Sequence, residues 1–162
     1  MALLLYLKNR MGISLKAIVV YLSTSGNTKS MAEAIADGIE SRNIDVKAVS
    51  FYDVKPGDLN DAEAIAIGSS TFYYKMLPPM EKFINETLAS SDPKGKIGAA
   101  FGSYGWSGEA PVMIAEKMRE MGMNVIDPVL RILHKPTDKD VEECKRLGID
   151  IAEKLKHRKT KV

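Results

Sequence analysis

The amino-acid sequence predicts an α/β protein with a doubly wound, five-stranded parallel sheet in the order 2-1-3-4-5 and helices on both faces. Short apolar runs alternate with amphipathic helical patterns along the chain. The runs are almost continuously apolar, as parallel strands are when helices cover both faces of their sheet. Right-handed crossovers between such strands give the doubly wound arrangement. At 162 residues and 45% hydrophobic, one domain has enough chain for a sizeable core.

The individual elements follow from these patterns in chain order. Strands are predicted at 16–22, 44–50, 63–68, 96–102 and 124–131. Helices are predicted at 28–41, 79–90, 109–121 and 137–157. The first helix carries Met31, Ile35 and Ile39 on one face, and the last opens with the capping residue Thr137. Residues 52–61 predict only a short helix or a turn.

The loop after the first strand, Ser23–Thr28, has the chemistry of an anion site. In this strand order, ligands bind at the carboxyl ends of strands 1 and 3. The loop joins a buried strand to a helix N-terminus, where backbone N–H groups are free and the helix dipole favours negative charge. Four hydroxyls, one amide and no Lys or Arg predict a site for one terminal phosphate. Ordinary turn and capping residues are the alternative interpretation, since neither a Walker nor a G-x-G-x-x-G pattern is present.

Aromatic residues concentrate in the loops after strands 3 and 4. Six of the eleven aromatics fall in or beside these loops: Phe72, Tyr73, Tyr74, Phe101, Tyr104 and Trp106. Aromatics in polar, glycine-bearing loops predict a flat ligand stacked between rings, although aromatics that cap the ends of the core are the alternative. Phe101 lies inside a strand and is assigned to the core. Gly102, Gly105 and Gly108 would let the backbone approach a planar heterocycle.

Three segments resemble the flavodoxins. Residues 16–29, Lys-Ala-Ile-Val-Val-Tyr-Leu-Ser-Thr-Ser-Gly-Asn-Thr-Lys, resemble the family's opening strand and phosphate loop. Residues 67–72, Ile-Gly-Ser-Ser-Thr-Phe, resemble its first flavin loop, with Ser70 where proline is usual. Residues 101–109, Phe-Gly-Ser-Tyr-Gly-Trp-Ser-Gly-Glu, most resemble the flavodoxin-like domain of A-type flavoproteins, the flavodiiron proteins. The resemblance covers residues 16–157 and implies a flavodoxin-like fold that binds FMN.

The resemblance implies three groups of FMN-binding residues. The phosphate loop corresponds to Ser23, Thr24, Ser25, Gly26, Asn27 and Thr28. The first isoalloxazine loop corresponds to Ser70, Thr71, Phe72 and Tyr73. The second corresponds to Ser103, Tyr104, Gly105 and Trp106. Which of Phe72, Tyr73 and Tyr74 covers the other face of the ring is left open, and no metal ligands are implied.

The sequence departs from the family pattern in three ways. It has two histidines and no diiron domain, so oxygen or nitric oxide reduction is not implied for this chain alone. Flavodoxins are usually acidic around the flavin, whereas here the two flavin loops carry only Lys75 and Glu109. Residues 69–79 contain no glycine. A peptide flip that offers a carbonyl to N5–H of the reduced flavin would therefore use a non-glycine residue, in a conformation that costs about 1 kcal/mol or more.

The function implied by the resemblance is an FMN-binding electron-transfer protein that shuttles electrons between redox partner proteins, a reductase and an acceptor. One alternative is an NAD(P)H-dependent flavin or quinone reductase of flavodoxin fold, which the absence of a second nucleotide motif disfavours. Another is the flavodoxin half of a split A-type flavoprotein system. A receiver-like regulatory module is disfavoured because the edge at strand 1 carries hydroxyls rather than carboxylates.

Composition completes the expectations. Cys144, the single cysteine, excludes an internal disulfide and is expected to be a buried, inert thiol in a cytoplasmic protein. No apolar run reaches the length of a membrane span, and neither a membrane nor a nucleic-acid partner is expected. The predicted organisation is an N-terminal extension at 1–14, one FMN-binding domain at 15–158 and a basic tail at 159–162. The oligomeric state is left open.

Overall fold

A computed structural model describes residues 3 and 15–160 of the chain, so the predicted extension at 1–14 lies outside the described residues apart from Leu3. The main sheet consists of β1 (Lys16–Leu22), β2 (Asp45–Ser50), β3 (Ala64–Ser69), β6 (Ile97–Tyr104), β7 (Asn124–Val125) and β8 (Leu130–Leu133). All its pairings are parallel, in the order β2-β1-β3-β6, and both β7 and β8 pair with β6. The predicted order 2-1-3-4-5 is confirmed, with β7 and β8 together as its fifth strand.

Helices cover both faces of the sheet. They are α1 (Asn27–Glu40), α2 (Asp58–Asp61), α3 (Pro78–Lys82), α4 (Glu109–Glu120) and α5 (Asp138–Thr160). Because side chains alternate along β1, Val19 packs in the core under α1 and α5, whereas Ile18 and Val20 pack under α3 and α4. The two cores explain why the central strands β1 and β3 are apolar at most positions. A 3-10 turn follows β2 at Phe51–Asp53, so the short-helix prediction for 52–61 is confirmed by this turn and α2.

Three predicted elements differ from the structure by more than one or two residues at an end. The strand predicted at 124–131 is broken into β7 and β8, and Pro128, between them, has no N–H to donate to the sheet. The helix predicted at 79–90 starts as α3 and continues as a π-helical segment, Phe83–Leu88, and a 3-10 turn, Ala89–Ser91. The last helix runs to Thr160 rather than 157, so the first two residues of the predicted basic tail are helical and 161–162 lie outside the described residues.

A hairpin that the sequence did not predict lies within the loop after β3. It pairs β4 (Thr71–Phe72) with β5 (Lys75–Met76) in antiparallel fashion. Its turn residues, Tyr73 and Tyr74, have φ angles of 49° and 64°. Two-residue hairpin turns of this left-handed kind are normally built from Asn-Gly or Asp-Gly. This loop lacks glycine, and we expected that a peptide flip in it would force a non-glycine residue into a costly conformation. Two non-glycine residues, Tyr73 and Tyr74, already adopt such a left-handed conformation.

Candidate functional site

The turn between β1 and α1 presents donors that the fold leaves unused. Gly26 precedes the helix with φ 91°, and no side chain caps the helix N-terminus. The first backbone hydrogen bond of this turn runs from Ser30 N to the Gly26 carbonyl at 3.0 Å, so the N–H groups before it have no helical partner. The exposed side chains of Thr24 and Ser25 lie on the same turn. In the same turn, Ser23 Oγ accepts a hydrogen bond from the Gly26 N–H at 3.0 Å, which stabilises the bend.

Thr28 joins all three predicted cofactor loops from beneath. Its hydroxyl is fully buried, lies 3.1 Å from Ser103 Oγ and accepts the Ser103 backbone N–H at 3.3 Å. The same oxygen lies 3.3 Å from Ser70 Oγ. Thr28 and Ser103 were both predicted as cofactor contacts. The structure places their hydroxyls against each other, where they hold the first turn of α1 to the ends of β3 and β6.

Thr71 makes a similar tie on the other side of the site. Its Oγ1 accepts the Ala110 N–H at 3.0 Å, which satisfies one of the unpaired donors in the first turn of α4. The β4–β5 hairpin is thereby fastened to the helix that follows the second flavin loop. Next to it, Ser69 Oγ donates to the Ser70 carbonyl at 3.0 Å. The hydroxyls of this loop therefore fix its shape before any ligand is considered.

An open pocket of about 260 Å³ lies between the hairpin and the loop after β6. Thr71, Tyr73, Tyr74, Trp106 and Ser107 line it. Trp106 is 86% exposed and Tyr73 is 78% exposed. Large aromatic side chains normally bury most of their area, so rings presented to solvent around a pocket are suited to stacking on a flat ligand. By contrast, Phe101 is fully buried, which confirms its assignment to the core.

The glycines of this region have different roles. A Cβ on Gly102 would collide with the Ser69 carbonyl oxygen, so Gly102 serves the close approach of β6 to β3 rather than that of a heterocycle, which corrects the expectation for this residue. A Cβ on Gly108 would lie 3.1 Å from Arg131 Cδ. At Gly105 the added atom would be 3.8 Å from the His134 ring, so this glycine leaves the backbone accessible beside Trp106.

Sequence reasoning missed the contribution of the fifth strand. His134 N donates to the Tyr104 carbonyl at 2.7 Å, and His134 itself has φ 61°. Arg131 Nη1 lies 3.5 Å from the Gly108 carbonyl. The signal was available, because the fifth strand of a 2-1-3-4-5 sheet ends beside the fourth at the ligand edge. Another unforeseen feature is Glu109, whose Oε2 is buried without a hydrogen-bond partner in the described residues, in the first turn of α4 where the helix dipole favours a carboxylate.

The single thiol lies outside the site. Cys144 is fully buried on α5, which confirms the predicted burial of the thiol, and this burial raises its pKa to about 12. Between residues 15 and 160, no three His, Cys, Asp or Glu side chains form a group that could hold a metal ion. None of the described helices combines the length and apolar character needed to cross a membrane.

The comparisons with known proteins agree with this geometry. The flavodoxin family pattern matches residues 19–148. The chain belongs to the flavodoxin family. A solved archaeal flavodoxin is 80% identical, with a TM-score of 0.87 over 88% of this chain and 100% of that one. A putative diflavin flavoprotein A 3 from Synechocystis sp. is 31% identical over 93% of this chain and 26% of the relative. A type A flavoprotein from Rhodobacter capsulatus is 32% identical over 85% and 33%.

Family membership settles the class of cofactor and of chemistry. The predicted cofactor, FMN, and the predicted class, an electron-transfer flavodoxin, are confirmed. Flavodoxins transfer electrons to redox partner proteins, and the partners expected for this chain, a reductase and an acceptor, stay a prediction. The chain spans about a quarter to a third of the length of the curated relatives reported above. What those longer proteins do as a whole is therefore not transferred to this chain.

Proposed function

We propose that residues 23–28 bind the phosphate of FMN, that the pocket between the β4–β5 hairpin and Gly105–Ser107 receives its isoalloxazine ring, and that the chain carries electrons between partner proteins in the cytoplasm. FMN supplies the redox chemistry when bound, since it can accept and release electrons singly. The protein supplies binding, orientation and partial exclusion of water. The observation that carries the proposal is the presence of an uncapped helix N-terminus and an aromatic pocket at one edge of one sheet.

The residues present fit this cofactor. A phosphomonoester needs hydrogen-bond donors and a favourable field, and the turn offers exposed hydroxyls, free N–H groups and a helix dipole. The flat ring needs apolar walls, which Tyr73, Tyr74 and Trp106 provide. Within the predicted set, we assign direct phosphate contact to Thr24, Ser25 and Asn27. We assign the positioning of the loops to Ser23, Gly26, Thr28, Ser70, Thr71 and Ser103. We assign contact with the ring to Phe72, Tyr73, Tyr104, Gly105 and Trp106.

A titration of the FMN-free protein with FMN and with riboflavin tests both halves of the proposal. Visible absorption shows whether the flavin is bound, and quenching of flavin fluorescence gives its affinity. Because charge-assisted hydrogen bonds contribute roughly 1.5–3 kcal/mol each, FMN should bind at least about tenfold more tightly than riboflavin. Equal affinity for the two flavins would remove the phosphate site, and protein that stays colourless with excess FMN would end the proposal.

A matched pair of threonine variants locates the phosphate. Thr24→Ala removes an exposed hydroxyl from the turn, and we expect it to weaken FMN binding while leaving riboflavin binding unchanged. Thr87→Ala removes an exposed hydroxyl from the π-helical segment, away from the turn, and should change neither. The proposal requires that the two variants differ in their affinity for FMN but agree in their affinity for riboflavin.

A reductase remains the second candidate, because in such an enzyme one face of the flavin must be open to nicotinamide. The open pocket and the largely exposed Trp106 favour that access. Oxidation of NAD(P)H by the FMN-loaded chain alone, at steady state with a quinone or free flavin, would favour the enzyme over the carrier. The split A-type alternative predicts a different outcome, a metal-containing second polypeptide that copurifies in fixed ratio with this chain.

A further inference from the structure

Exposed apolar side chains gather at one edge of the molecule. Within residues 15–160, six large hydrophobic side chains are more than half exposed: Tyr52, Phe72, Tyr73, Tyr74, Trp106 and Leu133. Each follows or ends a strand at its carboxyl end, the edge that carries the candidate FMN site. Contiguous exposed apolar surface on a soluble domain marks an interaction site. The pocket accounts for part of the patch, but Leu133 does not line it.

Three segments of this edge form one surface, which we call the docking face: residues 70–77, 105–108 and 131–137. The first two meet around the aromatic pocket. The second and third are joined by the contact of Arg131 Nη1 with the Gly108 carbonyl, at 3.5 Å, and by the hydrogen bond from the His134 N–H to the carbonyl of Tyr104, the residue before Gly105, at 2.7 Å. The docking face is therefore continuous across the ends of β3, β6 and β8.

The charges of the docking face all have one sign. It contains three exposed cations, Lys75, Arg131 and Lys135, and no Asp or Glu. Three acidic residues border it: Glu109, whose Oε2 is buried, and Asp138 and Asp140, which stand on either side of the exposed Lys139, so that the cations of this edge still outnumber its exposed carboxylates. The opposite edge mixes signs, with Asp61 and Glu63 beside lysines 94 and 96 around one shallow cavity. An apolar centre with a cationic rim is complementary to a partner with an apolar centre and an acidic rim.

We propose that the docking face receives an electron-carrier protein whose contact surface is acidic around its redox centre. This inference rests on the proposed function, because the electron passes at the edge where FMN binds. Complementary charge raises the rate of encounter by about 10–10³-fold at low salt and aligns the two proteins, while the aromatic centre excludes water from the contact. Because bound FMN adds the negative charge of its phosphate, the comparison that decides the proposal is made between variants loaded with FMN.

Two haem proteins of opposite charge serve as probes, an acidic b5-type cytochrome and a basic c-type cytochrome. FMN-loaded protein is reduced anaerobically and mixed with each oxidised cytochrome in a stopped-flow instrument. Each haem iron takes one electron from the reduced flavin and passes from Fe(III) to Fe(II), which its absorbance reports. We expect the second-order rate with the acidic cytochrome to fall about tenfold or more as ionic strength rises to about 0.3 M. A rate that is flat or that rises with salt would overturn the proposal.

A charge-matched pair of double variants assigns the effect to the docking face. Lys75→Glu with Lys135→Glu should slow the acidic cytochrome about tenfold at low salt and quicken the basic one. Lys16→Glu with Lys94→Glu makes the same change in net charge at the opposite edge and should alter either rate by less than about twofold. Equal effects of the two double variants would show that net charge, rather than this face, governs the encounter, and the proposal would fall.

The proposed function and the proposed docking face are refuted by different experimental results. The FMN titration described above tests the first. The second is also tested without electron transfer, by adding the acidic cytochrome to ¹⁵N-labelled protein. Amide shifts confined to residues 70–77, 105–108 and 131–137, and reversed by salt, support the docking face even if FMN binding is weak. Shifts elsewhere, or none, contradict it even if FMN binds tightly.

Discussion

Replacing Thr28 by valine tests whether one buried hydroxyl holds the candidate site together. Valine keeps the shape of threonine and replaces its hydroxyl with a methyl group. That oxygen accepts the Ser103 N–H at 3.3 Å and lies 3.1 Å from Ser103 Oγ and 3.3 Å from Ser70 Oγ. Since Thr28 is fully buried and Ser103 is 4% exposed, water cannot replace the lost acceptor without a rearrangement of the loops.

The magnitude follows from these contacts. A buried N–H left without an acceptor costs about 1–3 kcal/mol, and the lost contact with Ser103 Oγ adds about 1 kcal/mol. Ser70 is half-buried and can turn to water, so its loss adds little. The extra buried methyl group of valine returns about 0.8 kcal/mol. We therefore expect Thr28→Val to lower the free energy of unfolding by about 2 kcal/mol, which moves the urea midpoint by about 1 M.

Urea unfolding of the FMN-free protein at 25 °C measures this difference without any contribution from the cofactor. Thr87→Val supplies the control, since Thr87 is exposed and the chemical change is identical. Its effect should stay within about 0.5 kcal/mol. If Thr28→Val destabilises the protein no more than Thr87→Val does, the hydroxyl is not a structural tie, and its assignment returns to direct contact with FMN.

Three further outcomes follow from the structure. A Cβ on Gly148 would meet the Ile35 carbonyl oxygen, so Gly148→Ala should separate α5 from α1 and destabilise the fold by about 1–3 kcal/mol; a melting temperature equal to that of the unaltered protein would contradict this. Tyr74→Asn relieves a left-handed tyrosine and should stabilise the FMN-free protein by up to about 1 kcal/mol while weakening FMN binding; lower stability in urea would refute the strain argument. A hydrogen bond from the Lys47 ammonium lowers the pKa of Asp58. This hydrogen bond therefore stabilises the folded protein above the ordinary pKa of an Asp side chain, and the stabilisation is lost as pH falls through the lowered pKa. Asp58→Asn should therefore narrow the gap in unfolding free energy between pH 7 and pH 3, and an unchanged gap would contradict the assignment.

The sheet could be predicted because the apolar pattern that marks a buried parallel strand lies within each strand's own sequence. Ala17, Val19 and the residues beside them in β1 are apolar on both sides of the strand. Only a strand with both faces covered requires this pattern, and the amphipathic helices cover both faces. The break between β7 and β8 is marked by Asp127 and Pro128, but the apolar pairs on either side, 125–126 and 129–130, are close enough to suggest one strand. The π-helical segment, Phe83–Leu88, leaves no mark in the spacing of apolar residues that separates it from an ordinary helix.

The β4–β5 hairpin could not be predicted for a different reason. Local preference disfavours a left-handed turn at two tyrosines, and no Gly, Asn or Asp marks it. Tertiary contacts override that preference, since Met76 is fully buried on one side of the turn and Thr71 is tied to α4 on the other. Strained backbone persists where the surroundings hold it, and such places are concentrated at binding sites. A local conflict between sequence and conformation is thus itself a pointer to the site.

The hydroxyl side chains of the phosphate loop and the flavin loops have two different roles. A serine or threonine that contacts a phosphate and one that holds two loops together carry the same side chain, so a sequence cannot separate them. Burial separates them, because Thr24 and Ser25 face solvent whereas Thr28 and Ser103 are enclosed and face each other. Substitution of the exposed pair should therefore change the affinity for FMN and leave stability alone. Substitution of the enclosed pair should change both, because a site whose loops separate loses the geometry on which its affinity depends.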